Sequence, residues 1–386
     1  MAIPRYSLSF RSLCGFCRII VLGFVASFTF YIWYLVLQTW MNEEQPTKST
    51  VPSVLLQRRY LPVGGADVRF DQPWKLAATD IIKNWSLLET GDRFILSDLS
   101  YRLGNLMFEF AALHFFAEKF NGTIVLSSKC LLRRAFVNLR RTKFMEDSAL
   151  NGYILYLTEM GQKFHEYKGC CEYHPDLPLF QDGQNVEVIR GYYQSYSWFH
   201  PQFETEIRQS FVFLPEIQRR ARELVTNSFK EATQMMENQT STDIQFVGIH
   251  VRHGMDVTVH GRNLYHGHVS APVDYFQSAI AKMKEKHKKV VFLVVGDNIE
   301  WTKRNLLPLA SVGEIQFIKS GYREVDMAAL SLCNHTVMST GTFSWWTAYL
   351  TNGTTFYYGN WPKRGSVLWI MVSRAKVFLP QWQSVV

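Results

Sequence analysis

Two uninterrupted apolar runs set the fold of this chain. Ile244–Val251 reads IQFVGIHV and Val290–Gly296 reads VVFLVVG. A strand apolar on both faces is buried on both faces, which is how parallel strands covered by crossover helices read. Helix-like segments alternate with them: Pro272–Lys286, then a helix carrying Trp301, then Glu324–Leu332 and Phe343–Leu350. Short strands fall between, at Gln316–Ile318 and Thr336–Thr340. An earlier unit repeats the pattern, with a strand at Arg93–Leu99, a turn holding Gly104 and Asn105, a helix at Leu106–Phe120 and a strand at Thr123–Ser127. Strands alternating with helices predict doubly wound parallel sheets in two α/β units, with a helix over Pro215–Met236 between them. The chain has 386 residues and is 47% hydrophobic, enough for both cores.

The run Ile19–Leu37, IIVLGFVASFTFYIWYLVL, carries no charge and can cross a bilayer core, especially when extended to Trp40. Arg5, Arg11 and Arg18 precede it and Glu43 and Glu44 follow, which predicts a cytoplasmic N-terminus and a lumenal body. A cleaved signal peptide would have a shorter apolar region and a small-residue cleavage site, where this chain has Trp33, Tyr34 and Trp40. The expected plan is a cytoplasmic tail (1–18), a signal anchor (19–40), a polar stem (41–92), an α/β half (93–240) and a second α/β half (241–386). Lumenal placement gives meaning to the Asn-x-Ser/Thr sequons at Asn84, Asn121, Asn238, Asn334 and Asn352.

Cys14 and Cys17 lie beside the membrane run and are candidates for palmitoylation. Cys130, Cys170, Cys171 and Cys333 are lumenal and admit three pairings, the adjacent Cys170–Cys171 pair being the one not expected. No spacing offers a zinc site, and no Asp-x-Asp follows an apolar strand, so no metal is expected. The net charge of +8 is diffuse, without a long basic tract, which suits a phosphate-bearing small substrate better than nucleic acid.

Three strings sit where a strand ends, the position at which open α/β sheets place ligands. In Ile249–Asp256, IHVRHGMD, His250 and Arg252 share a strand face, and an Arg at a strand end suits a bidentate phosphate contact or, equally, a structural ion pair. In Ser339–Trp346, STGTFSWW, a strand runs through Gly341 to a helix start whose N–H groups attract anions, although Thr342 and Ser344 also suit an ordinary cap. In Tyr101–Met107, YRLGNLM, Gly104 would let backbone approach a ligand.

Together these strings resemble the α-1,2-fucosyltransferases of glycosyltransferase family 11. RLGNLM with FEFAAL is similar to that family's N-terminal motif, and GYYQSYSWF (Gly191–Phe199) to its Gly-Tyr-x-Gln-Ser signature. VGIHVRHGMD is similar to its His-x-Arg-Arg motif, and Asp326–Leu350 to its C-terminal motif. Tyr101, Leu106, His253 and Met255 depart from the pattern. The resemblance implies a GT-B-like fold of two Rossmann-type halves, a type II Golgi membrane protein, and inverting, metal-independent transfer of fucose from GDP-fucose to galactose. It implies donor contacts from His250, Arg252, Asn105, Thr342, Phe343 and Ser344, with Asp326 accepting from guanine. The base for the acceptor hydroxyl is either Asp256 or His253. Fucosyl transfer in another linkage (α-1,6 or to protein) and an inactive lectin-like relative are the competing readings.

Overall fold

The computed structural model describes residues 72–76, 79–97, 102–167, 169–181, 183–236, 244–373 and 376–386. The expected signal anchor, Cys14, Cys17 and the sequon at Asn238 lie outside these residues. Among the described residues no helix is long and apolar enough to cross a membrane.

In chain order the first half contains β1 (Ile81–Ile82), β2 (Phe94–Leu96), α1 (Leu103–Phe120), β3 (Thr123–Ser127), α2 (Leu131–Ala135), β4 (Thr142–Met145), α3 (Asp147–Glu159), β5 (His165–Tyr167) and β6 (Val186–Gly191). Its six strands order as β1-β4-β3-β2-β6-β5, all parallel. Two helices follow, α4 (Glu204–Ser210) and α5 (Pro215–Met235). The second half contains β7 (Gln245–Val251), α6 (Met255–Thr258), α7 (Gly261–His266), α8 (Val273–Lys286), β8 (Val290–Gly296), α9 (Ile299–Leu306), β9 (Ile315–Phe317), α10 (Arg323–Ser331), β10 (His335–Met338), α11 (Thr342–Thr351), β11 (Thr355–Tyr358), α12 (Val367–Ser373) and β12 (Gln383–Val385). Its strand order is β12-β11-β10-β7-β8-β9, again parallel throughout. The expectation of two doubly wound halves is met, and β7 and β8 are the apolar runs that announced it.

Two boundaries move. The segment expected to be stem already belongs to the folded body from Trp74 onward. That indole is buried, donates its Nε1–H to the Arg134 carbonyl at 3.0 Å and meets the Tyr322 ring edge-on. Ile81 and Ile82 then pair with β4. Polar composition hid this, because a lone Trp followed by a two-residue strand has no readable period. Helix α5, expected between the halves and inside the 93–240 boundary, packs on α10, β8 and β9 of the second.

The halves share one core. Helix α1 buries both of its sides, consistent with an apolar pattern running all round it. Phe108 packs on Trp345 and Trp346 of α11, with ring centroids 4.7 and 4.9 Å away, and Phe199 stacks on Trp346 at 5.3 Å. Buried aromatic surface of this kind dominates core energetics. It fixes the start of α1 against the start of α11, and the candidate site lies at that junction.

The cysteine expectation is overturned. Cys170 and Cys171 are joined to each other, while Cys130 and Cys333 are free and buried. Burial pushes the Cys130 thiol up to about 12 and raises Cys333 likewise. Each sits within packed core, which leaves the adjacent pair as partners for one another.

Candidate functional site

The three strings converge at the carboxyl rim of the second sheet. Strand β7 carries His250 and leads directly into Arg252; β10 ends at Met338, one residue before Ser339, and Gly341 turns the chain with φ +89° into α11. A side chain at Gly341 would run into the Arg252 guanidinium, so this glycine makes room for it as well as adopting a left-handed turn. The Arg252 backbone N–H donates to Ser339 Oγ at 3.0 Å, which ties the two strand ends together.

His250 and Ser344 were expected to touch the donor, but both are buried and engaged with each other, Nδ1 to Oγ at 2.5 Å. Burial and the nearby Arg252 charge drop the His250 pKa to about 3, so the ring is neutral. Its place is to hold α11 on β7, with the Phe343 ring 4.7 Å away. Thr342 and Phe343 stay partly exposed at the first turn of α11, where N–H groups without intrahelical partners face the rim.

Asn105 links the halves. Its Oδ1 accepts from Thr342 Oγ1 at 2.7 Å and from Gln194 Nε2 at 3.2 Å, so three separate motifs meet on one amide oxygen. Helix α1 begins at Leu103, not Leu106, which puts Gly104 and Asn105 in its first turn. The expectation that Gly104 admits a ligand is corrected: a Cβ there would lie 2.7 Å from the Thr342 carbonyl carbon, so the glycine admits α11 instead.

Arg252 Nη2 donates to Asp256 Oδ2 at 2.6 Å, and Arg102 Nη1 reaches the same oxygen at 3.3 Å from the N-cap of α1. Burial pushes the Asp256 carboxyl up, but the two guanidiniums outweigh it and hold its pKa below the usual carboxylate value. A carboxylate so stabilised is a poor proton acceptor. His253 stacks on Trp301 at 3.8 Å, and its backbone N–H donates to Asp297 Oδ1 at 2.7 Å. Burial lowers its pKa, so the imidazole is neutral near pH 7.

Asp326 stands two strands away, beyond β9, where it accepts from the Ser320 N–H at 2.9 Å. Burial lifts its pKa to about 6. Sequence reasoning passed over Arg102, Gln194 and Asp297. Arg102 and Gln194 lay inside motifs already quoted, and Asp297 directly follows the apolar run of β8; each signal was available. Among the described residues no group of three or more His, Cys, Asp or Glu could hold a metal ion. The sequon residues Asn84, Asn121, Asn334 and Asn352 are all exposed.

Arg252 and the first turn of α11 thus meet at the carboxyl rim of a doubly wound sheet, the place where open α/β sheets bind ligands. The sequence profile of glycosyl transferase family 11 matches residues 181–385, and the chain belongs to that family. It is 31% identical over 195 residues to galactoside 2-alpha-L-fucosyltransferase Sec1 of Mus musculus, covering 50% of each chain. It is 29% identical over 287 residues to galactoside alpha-(1,2)-fucosyltransferase 2 of Gorilla gorilla gorilla, covering 74% of this chain and 77% of the relative. The match spans about half the length of the mouse and cattle relatives. Among solved structures, fucosyltransferase NodZ from Bradyrhizobium aligns at 14% identity and TM-score 0.41, over 66% of this chain and 91% of that one. The R284K mutant of Arabidopsis thaliana FUT1 in complex with GDP aligns at 13% identity and TM-score 0.43, over 69% and 70%.

Proposed function

We propose that this protein transfers L-fucose from GDP-fucose to the 2-hydroxyl of a galactose-containing glycan, with inversion and without metal, as a type II membrane glycoprotein of the Golgi. The observation that carries the reading is the Arg252 guanidinium. It sits at the end of a buried strand, one fifth exposed and aimed at the junction with α11, in a chain of glycosyl transferase family 11.

In this reaction the bond from fucose C1 to the β-phosphate oxygen breaks and its electron pair leaves on GDP. Arg252 and the first-turn N–H groups of α11 meet that charge as it develops. A bond forms between C1 and the galactose O2, and the hydroxyl proton passes to the neutral His253 imidazole. Asp256 keeps Arg252 extended, and Asn105 keeps the two halves in register. Asp326, in the first turn of α10 beyond β9, is the partner proposed for guanine N–H donors.

The test is Arg252. Lys preserves charge but not the two-pronged donor, so Arg252→Lys should lose most transfer and Arg252→Ala about 10²–10³-fold. Secretion and melting temperature should hold while stabilisation by GDP disappears. Full activity in Arg252→Ala would overturn the donor site. For the cellular reading, glycosidase treatment should lower the apparent mass of the expressed chain; an unchanged mass argues against lumenal placement.

A further inference from the structure

The residue after Arg252 opens onto a cavity of about 1060 Å³ at the same rim. Its wall on that side is α6. Asp256 of this helix faces Arg252, while Val257 and Thr258 line the cavity. The cavity is therefore the neighbour of the phosphate-gripping cluster, with His253 at the border. Its far wall carries Trp361 and Trp369, with Lys363 and Arg364 exposed between them, and among the described residues no acidic side chain lines it. The basic loop is held in place: the Lys363 N–H donates to the Gly267 carbonyl at 2.9 Å, and Ser366 N–H to the Lys363 carbonyl at 3.1 Å. Two buried atoms of the lining, His253 Nδ1 and Trp361 Nε1, have no hydrogen-bond partner among the described residues. A polyol can satisfy such groups after a small ring movement. Asp297, which accepts from the His253 N–H, has its pKa raised by burial and lies outside the lining.

We propose that this cavity is the acceptor site, and that it selects galactosides bearing an anionic group on the sugar next to the reacting galactose. The inference rests on the transfer reading above and names its acceptor class. The galactose end enters beside His253, close to the fucose delivered at Arg252. The following sugar lies over the indoles, whose apolar faces suit pyranose C–H groups. A carboxylate or sulfate on that sugar then meets Lys363 and Arg364. Each exposed ion pair contributes modestly, so together they should favour the anionic acceptor by roughly three- to tenfold, and less at high salt where charges about 10 Å apart are screened.

Two matched acceptor pairs test this with the full chain. Lactobionate and lactitol differ by a carboxylate at the open-chain end. N-acetyllactosamine carrying a 6-sulfate on its glucosamine differs from the unsulfated sugar by that group alone. The expected kcat/KM ratio, anionic over neutral, is about three to ten at low salt for at least one pair, and which pair responds tells carboxylate from sulfate. In the Lys363→Ala/Arg364→Ala double variant the ratio should fall to about one, with KM for GDP-fucose unchanged. Equal use of both members in both pairs, or a preference that survives the double variant, overturns the inference while leaving galactoside transfer standing. No transfer to any of the four overturns both.

Discussion

Gly104→Ala tests whether the site depends on direct contact between α1 and α11. The substituted Cβ would stand 2.7 Å from the Thr342 carbonyl carbon, 2.8 Å from Thr342 Oγ1 and 2.9 Å from the Phe343 nitrogen. Carbon atoms settle at about 3.5–4.0 Å, so the helices must part by something near 0.8 Å. The obstacle is mostly backbone, which cannot rotate away. Overpacking of this sort costs about 1–3 kcal/mol, while Ala in place of Gly in a helix returns up to about 1 kcal/mol. The net loss is about 1 kcal/mol, or about 2–4 °C in melting temperature. The catalytic effect should be larger. The parted residues carry the Thr342–Asn105 hydrogen bond and the α11 N–H groups, and a displacement near 1 Å can cost on the order of 10²-fold in rate. Melting with and without GDP, alongside kcat/KM, reads both. Gly152→Ala, whose Cβ would meet only Trp85 at 3.4 Å, is the control and should not lose activity. A Gly104→Ala protein that is more stable and equally active would refute the argument.

Three further outcomes are expected. Arg134 and Glu324 form a buried pair at 2.9 Å, so Arg134→Ala strands a carboxylate and should cost about 3–5 kcal/mol by chemical denaturation, whereas a loss below about 1 kcal/mol would show that Glu324 is accommodated elsewhere. In the proposed mechanism His253 is a neutral base with a pKa held below 6.5 by burial, so the rate should stay level through neutral pH and fall only once acid drops below that lowered value; His253→Gln should lose about 10²–10⁴-fold in kcat together with this acid limb, and a variant that keeps the limb removes His253 from the role. Transfer should survive EDTA, and a strict need for Mn²⁺ or Mg²⁺ would require a different donor site.

Legibility from sequence followed the strength of the local signal. β7 and β8 were readable nearly to the residue because strands buried on both faces are apolar throughout. The start of α1 was misread because Gly104 suggested a turn; inside the helix its missing side chain serves packing against α11, and that partner is 238 positions away in the chain. Strand β1 was invisible, since two isoleucines in a polar stretch acquire meaning only beside β4. Among site residues, the composition of each string was legible but its division of labour was not. His250 and Ser344 look like ligand contacts in sequence, and only their mutual burial shows that they hold the scaffold.

Asp256 illustrates what the assembled site adds. A carboxylate two residues beyond the Gly254 turn invites reading as a base, and its own burial would favour that by raising its pKa. Two arginines from opposite halves reverse the sign. Arg252 approaches from β7 and Arg102 from the start of α1, both toward one oxygen. The carboxylate thus gathers positive charge at the cleft before any donor arrives. A diphosphate entering there finds Arg252 already extended, so little side-chain entropy remains to be lost when it binds. Asp256→Asn would keep the shape and remove the charge that does the gathering. It should weaken GDP binding while leaving the acid limb of the rate profile in place, because the proposed mechanism assigns that limb to His253. Loss of the limb in Asp256→Asn would instead return the proton to Asp256.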